Sequence, residues 1–296
     1  MRHPALLTAA LLLATLVHPR DSRAGQQELN GVWKTEFPIA TRADVRIVAD
    51  DGHVYLHSRA NAKTVAVRVT YDLKKWGMVW GARKPDVRFD HQGDIITISV
   101  REPGNLKVMG GVVEKLEIHV TLPVACDVSI RTDDGGVDSD PITGRVKVET
   151  QDGHLRLHGV RGDITLASSD GRITADELDG IVRVRTGDGA VSLIGRMDVL
   201  AVRTGDGRVE ATAIAGSKMA EQWSVETGDG SILMRIPADL KSLLDLQTQD
   251  GRIRVELPLP IRGTQRGHAL RGELNGGGPL LRMRTQDGSV TLALAP

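Results

Sequence analysis

Residues 182–193 read Val-Arg-Val-Arg-Thr-Gly-Asp-Gly-Ala-Val-Ser-Leu. Apolar and polar side chains alternate on both sides of an Asp-Gly pair, and a period of two places every second side chain on one face of a strand. The stretch therefore reads as strand, tight corner, strand. The corner recurs. Asp-Gly stands at Asp134-Gly135, Asp152-Gly153, Asp170-Gly171, Asp188-Gly189 and Asp206-Gly207, always 18 residues apart. Further copies at Asp229-Gly230, Asp250-Gly251 and Asp287-Gly288 follow at intervals of 23, 21 and 37. A fixed period of this length is the mark of a repeat architecture.

Aligned on the corner, the units begin at Val128, Val146, Ile164, Val182 and Leu200, then at Trp223, Leu244 and Leu281. The third position is again apolar (Ile130, Val148, Leu166, Val184, Val202) and the fifth is Thr or Ser (Thr132, Thr150, Ser168, Thr186, Thr204). Gly144, Gly162, Gly180 and Gly216 mark a second corner. Asp-Gly between alternating runs is also a hairpin signal and would suit an antiparallel meander. A meander has no need to keep both strand and both corner lengths constant, so the unbroken spacing favours stacking. The expected fold is all-β: a single-chain parallel β-solenoid with rungs of about 18 residues, each unit lying on the last at about 4.8 Å. Eight rungs make a rod of about 35–40 Å. At each corner the Asp is expected to bond its own backbone and the Gly to supply a positive φ.

Around this core the chain divides into residues 1–24, a signal peptide; 25–125, an irregular β-rich N-terminal part or cap; and 126–296, the regular Asp-Gly repeat. Arg2 and His3 precede the apolar run Leu6 to Val17, and Ser22-Arg23-Ala24 puts small residues at −3 and −1 of a cleavage site. Twelve residues of helix cover about 18 Å, short of a hydrocarbon core of about 30 Å. Export to the periplasm, envelope or medium is the expectation, with no integral membrane segment after cleavage. In the N-terminal part, Val45 to Val48, Asp51-Gly52 and Val54 to Leu56 look like a diverged rung. Lysine plus arginine and aspartate plus glutamate are 38 each, which argues against a nucleic-acid binder working through a basic field. Aromatics are 3% of residues against 33 glycines, a composition suited to a narrow core of Val, Ile and Leu. The single cysteine, Cys126, permits no intrachain disulfide and sits in an apolar run as a buried thiol.

The string from Leu116 to Gly144, with Val120-Thr121-Leu122-Pro123 leading into Thr132-Asp133-Asp134-Gly135, resembles a bacterial envelope family of candidate adhesins whose function is unknown. The Thr-Gly-Asp-Gly units and the closing Leu274-Asn275-Gly276-Gly277-Gly278 carry the same resemblance. It covers essentially all of the chain after residue 24 and implies a β-solenoid in an exported or envelope setting. It implies no catalytic or binding residue.

The most abundant candidate for chemistry is the carboxylate row Asp134, Asp152, Asp170, Asp188 and Asp206, which could collect Ca²⁺. Calcium-binding β-rolls use a nine-residue glycine-rich repeat instead, and basic residues (His154, Arg172, Arg208, Arg252) follow these corners. Unit charges about 5 Å apart repel by only about 0.8 kcal/mol in water, so the row is expected to be structural. No cofactor is expected. His53 and His57, like His154 and His158, are four apart but on strands or across corners, not on a helix. No nucleophile elbow or phosphate loop is present. A glycosidase or lyase is the enzyme alternative, and it needs carboxylates converging in a groove. Arg131, Lys147, Arg183, Arg185, Arg203, Arg282 and Arg284 form a partial basic stripe interrupted by Glu149, Glu226 and Asp245. The expected function is a non-catalytic extracytoplasmic module that presents its surface to an envelope protein or polysaccharide. The partner-binding candidates are Trp76, Met78 and Trp80 in one insertion and Arg262, Arg266 and Arg271 in another. The tryptophan segment can equally serve as an end cap.

Overall fold

The computed structural model describes residues 30–80, 84–102, 107–258 and 261–296, and of 75–80, 107–113 and 261 the backbone alone. Residues 1–24 lie outside the described residues. The described chain is all-β. Within the repeat the strands pair in parallel, as the alternation of apolar positions requires once each unit lies beside its equivalent. Val128 faces Val146, Val146 faces Ile164, Ile164 faces Val182, and Val182 faces Leu200. The second strands keep the same step, with Val137, Leu155, Ile173, Val191 and Val209 in successive register.

Two parallel ladders result, joined by the corners. In spatial order the first runs Ile95–Arg101, Asp44–Ala49, Asp127–Thr132, Thr143–Glu149, Arg161–Ser168, the later parts of Ile173–Thr186 and Val191–Arg203, then Trp223–Glu226, Leu280–Arg284 and Ser242–Gln247. The second holds, in the same order, the end of Lys107–Pro123, His53–Arg59, Val137–Ser139, Leu155–His158, the earlier parts of the two long strands, Val209–Ala213, Ile232–Ile236, Val290–Leu294 and Ile253–Glu256. Val, Ile and Leu of the first and third unit positions fill the space between the ladders and are buried from Val45 to Leu292.

Chain order and stack order part at both ends, which corrects the expectation that each unit lies on the last. The C-terminal unit, Leu280–Leu294, slides between the units of Trp223 and Leu244, since Leu281 faces both residues. At the other end the unit of Asp44–Arg59 sits between Ile95–Pro123 and the unit of Asp127. Antiparallel strands close the stack. Asp86–Gln92 lies on Ile95–Arg101, Thr64–Trp80 on Lys107–Pro123, and Gly31–Pro38 on Thr64–Trp80. At the far end the hairpin Ile261–Arg266 and Ala269–Leu274 lies on Ser242–Gln247. Asn275, Gly276 and Gly277 all have φ between 52° and 86° and turn the chain from that hairpin back into the stack. The Asn275 amide pins the turn by donating to the carbonyls of Ala238 and Leu240 at 2.9 and 2.8 Å.

Candidate functional site

The Asp-Gly corner is built by its threonine. Thr150 Oγ1 donates to the carbonyls of Asp133 and Gly135 in the neighbouring rung (3.1 and 3.2 Å) and accepts from the Gly153 N–H (3.2 Å). Ser168, Thr186, Thr204, Thr227, Thr248 and Thr285 make equivalent bonds, and all are buried. Two expectations change here. From Gly135 onward the corner glycines do not have positive φ; only Gly52, in the diverged rung, does. Glycine is required because a Cβ on Gly153 or Gly189 would stand 2.1 Å from the carbonyl oxygen of the glycine one rung before. It is the second-corner glycines that take positive φ, at 118° for Gly162, 129° for Gly180 and 86° for Gly216. The carboxylates of Asp134, Asp152, Asp170, Asp188 and Asp206 are exposed, and the corner hydrogen bond is made by the hydroxyl, not by them. Among the described residues no group of three or more His, Cys, Asp or Glu is placed to hold a metal ion. Cys126 is buried, and burial pushes its thiol up to about 12.

The outward face of the first ladder carries two rows that run across the strands. One reads Lys147, Thr165, Arg183, Ala201, Ser224, Arg282, Asp245; the other Glu149, Ala167, Arg185, Arg203, Glu226, Arg284, Gln247. Two hollows of about 450 and 810 Å³ lie over these rows and share Arg185, Arg203 and Glu226. Small residues make the floor: Ala167 and Ala201 on the strands, then Gly187, Gly205 and Gly228 at the corners. Arg183 pairs with Asp163 at 3.1 Å and Arg284 with Asp245 at 3.2 Å. Arg185 and Arg203 stand on adjacent strands, with no carboxylate in salt-bridge reach among the described residues. Glu226, the nearest acid in the row, is held by the Ser224 hydroxyl at 2.9 Å. Two like charges at about 4.8 Å cost only about 1 kcal/mol in water, so the pair persists while leaving a local positive field.

Of the insertion candidates, Arg262, Arg266 and Arg271 are exposed on the terminal hairpin. They are not brought together: Arg262 faces Glu273, Arg266 faces Ala269 and Arg271 faces Thr264 near the middle of the hairpin. Arg271 instead joins Arg282 and Arg284 around the Asp245 carboxylate, at 3.5, 3.6 and 3.2 Å. Burial works to raise the Asp245 pKa, but hydrogen bonds from Gln247 and Arg284 outweigh it and hold the group below its usual value. Trp76, Met78 and Trp80 belong by backbone to Thr64–Trp80, paired with Lys107–Pro123; their side chains lie outside the described residues.

A second cluster escapes a sequence reading. On the outward face of the second ladder, His53 Nε2 lies 2.5 Å from Asp138 Oδ2, and His57 Nδ1 lies 3.6 Å from Asp140 Oδ2. His57 Nε2 meets His119 Nδ1 at 3.2 Å, and Tyr55 stacks on His119 with ring centres 4.6 Å apart. His158 bonds Asp176 at 3.0 Å, and this contact raises its pKa. A hollow of about 530 Å³ separates Tyr55 and His57 from Arg156 and His158. The only sequence signal was the spacing of His53 and His57, which places both on one face of a strand. His119 comes from a strand 62 residues away in the chain.

The ladders define the class, an all-β protein made of repeated strand pairs. The chain belongs to the Toastrack DUF4097 family, whose model matches residues 62–293. No curated protein matches the chain. Among solved structures it is similar to a candidate lipid-binding protein from Parabacteroides distasonis, with 13% identity over 88% of this chain and 96% of that one and a TM-score of 0.46. It is also similar to a candidate adhesin from Bacteroides fragilis (11% identity, 88% and 97% covered, TM-score 0.40) and a candidate cell-adhesion protein from Clostridium sporogenes (12% identity, 89% and 100% covered, TM-score 0.27).

Proposed function

We propose that the chain is a non-catalytic extracytoplasmic binding module: a parallel β-solenoid with rungs of about 18 residues that presents a ladder surface to a protein or envelope polymer. One observation carries this reading: the outward side chains of the first ladder form long rows in register, with Arg185 and Arg203 unpaired among the described residues over hollows lined by small residues. Such rows suit recognition of an extended partner across several rungs. The corner aspartates, spread one per rung along an exposed edge, do not converge as the two carboxylates of a glycosidase must. Residues 1–24 support export, and among the described residues no helix is long and apolar enough to cross a membrane. The purified protein is to be immobilised and exposed to soluble envelope polysaccharides, peptidoglycan fragments and envelope proteins. The expected result is saturable, reversible binding to one class, with the polymer unchanged in length. New reducing ends or unsaturated sugar termini appearing with time would instead establish an enzyme.

A further inference from the structure

We infer that the Arg185–Arg203 trough is a binding site for a linear carboxylate-bearing polysaccharide lying along the stack, across the strands. The inference deepens the binding-module reading and rests on it.

Arg185 and Arg203 are Cα partners on adjacent strands, and Arg183 stands two residues from Arg185 on the same outward face. Arg284 continues the row two strands beyond Arg203, past Glu226. The cations therefore recur at one and two strand spacings, about 4.8 and 9.6 Å. A polymer with a charge on every sugar, or on every second one, meets that spacing when it runs perpendicular to the strands. The guanidinium fork matches a carboxylate in two parallel hydrogen bonds, a geometry that a lysine row would not supply.

The shape of the floor selects a thin chain. Ala167 and Ala201 remove side-chain bulk between the arginines, and Gly187, Gly205 and Gly228 extend the depression over the corner. Gln247, Gln249 and Gln286 line the far end, where their amides can meet hydroxyls. A flat anionic membrane would touch the rims and leave this floor empty. A protein partner would ordinarily require an aromatic or bulky apolar anchor at its centre; no aromatic residue lines these hollows, and the bulky apolar residues that do, Leu166, Val184 and Val202, are themselves buried in the core. The polar, hydroxyl-rich surface of a charged glycan fits both the floor and the rim.

Alginate, which carries a carboxylate on each sugar, is the probe; uncharged dextran and polyglutamate are the comparators, measured by calorimetry against the whole protein. Alginate is expected to bind saturably, with affinity falling as salt is raised, and dextran not to bind. R185E/R203E is expected to weaken alginate binding at least about tenfold. R145E/R161E, with the same charge change at the other end of the strands, should leave it unaltered, and R185K/R203K should keep part of it. All four altered residues are exposed, and circular dichroism and melting check that each variant folds. Equal alginate affinity in R185E/R203E and the parent protein overturns the proposal, as does equal affinity for polyglutamate or failure of alginate to bind. If alginate fails while an envelope protein still binds saturably, the trough assignment falls and the binding-module reading stands.

Discussion

At the scale of single residues, the corner depends on a hydroxyl and a missing methyl. Thr186 Oγ1 donates to the Ser169 carbonyl and accepts from the Gly189 N–H, at 3.1 and 3.2 Å, inside the protein. Thr186→Val keeps the shape and strands a buried N–H, so it is expected to cost about 1–3 kcal/mol in chemical denaturation. Thr186→Ser should be close to neutral, because Ser168 already does the same work one rung away. Equal losses for Val and Ser would show that the hydroxyl is not what matters. The threonine is visible in the sequence as a recurring fifth position, yet an Asp-Gly pair points to the aspartate as the residue that bonds the turn. Asp-Gly is familiar as a turn in isolation, and nothing local reveals that the neighbouring rung's carbonyl approaches within reach of a Cβ. Glycine selected for positive φ and glycine selected for close approach look the same in one sequence.

Elements bring together what no local motif can. Alternation along Val182 to Leu193 already fixed which side chains face inward, and the strand ladders put Arg185 beside Arg203 because both occupy the fourth position of their units. The basic stripe was therefore legible. Its hollows were not, since they depend on where small residues of the same and the neighbouring strands, such as Ala201 and Ala167, fall beside the arginines. The histidine face is the opposite case: Lys107–Pro123 reaches His53–Arg59 only because the stack departs from chain order, so His119 could not be placed beside His57 by counting. That face should titrate in two directions. The hydrogen bond that His158 donates to Asp176, then the charge of Asp176, raises the His158 pKa, with Glu177 and Asp140 adding to it. Its stabilising contribution is thus full below an unfolded value of about 6.5 and is lost as pH rises through the higher folded value. For His119 burial comes first and lowers the pKa, opposed by Glu117 and reinforced by His57 and Arg68. That ring contributes most when neutral: its contribution is full above an unfolded value of about 6.5 and is lost as pH falls through the lower folded value. Imidazole resonances followed by NMR are expected to give a midpoint above about 6.5 for His158 and below it for His119. The reverse order would contradict the contacts described, and His158→Gln should abolish the higher midpoint alone.

For the molecule as a whole, the decisive feature is the place of Leu280–Leu294 between two units that precede it in the chain. In an ordinary repeat array the last unit touches one neighbour and can be removed at the cost of one interface. Here a chain ending at Pro279 loses both interfaces of an interior rung. Its absence separates Ser242–Gln247 and the hairpin that covers it from the rest of the stack. Limited proteolysis of that truncated chain is expected to cut throughout residues 237–279 while sparing the rungs from Val128 to Ala213. Protection of 237–279 equal to that in the full chain would refute the prediction. The same arrangement governs how the protein can be made. As the polypeptide is made, residues 242–274 have no finished neighbour to dock on until Leu280–Leu294 arrives, so this part of the stack must wait and then set in one concerted, long-range step. Loosening of Leu280–Leu294 is obstructed for the same reason, because the segment is held on both sides.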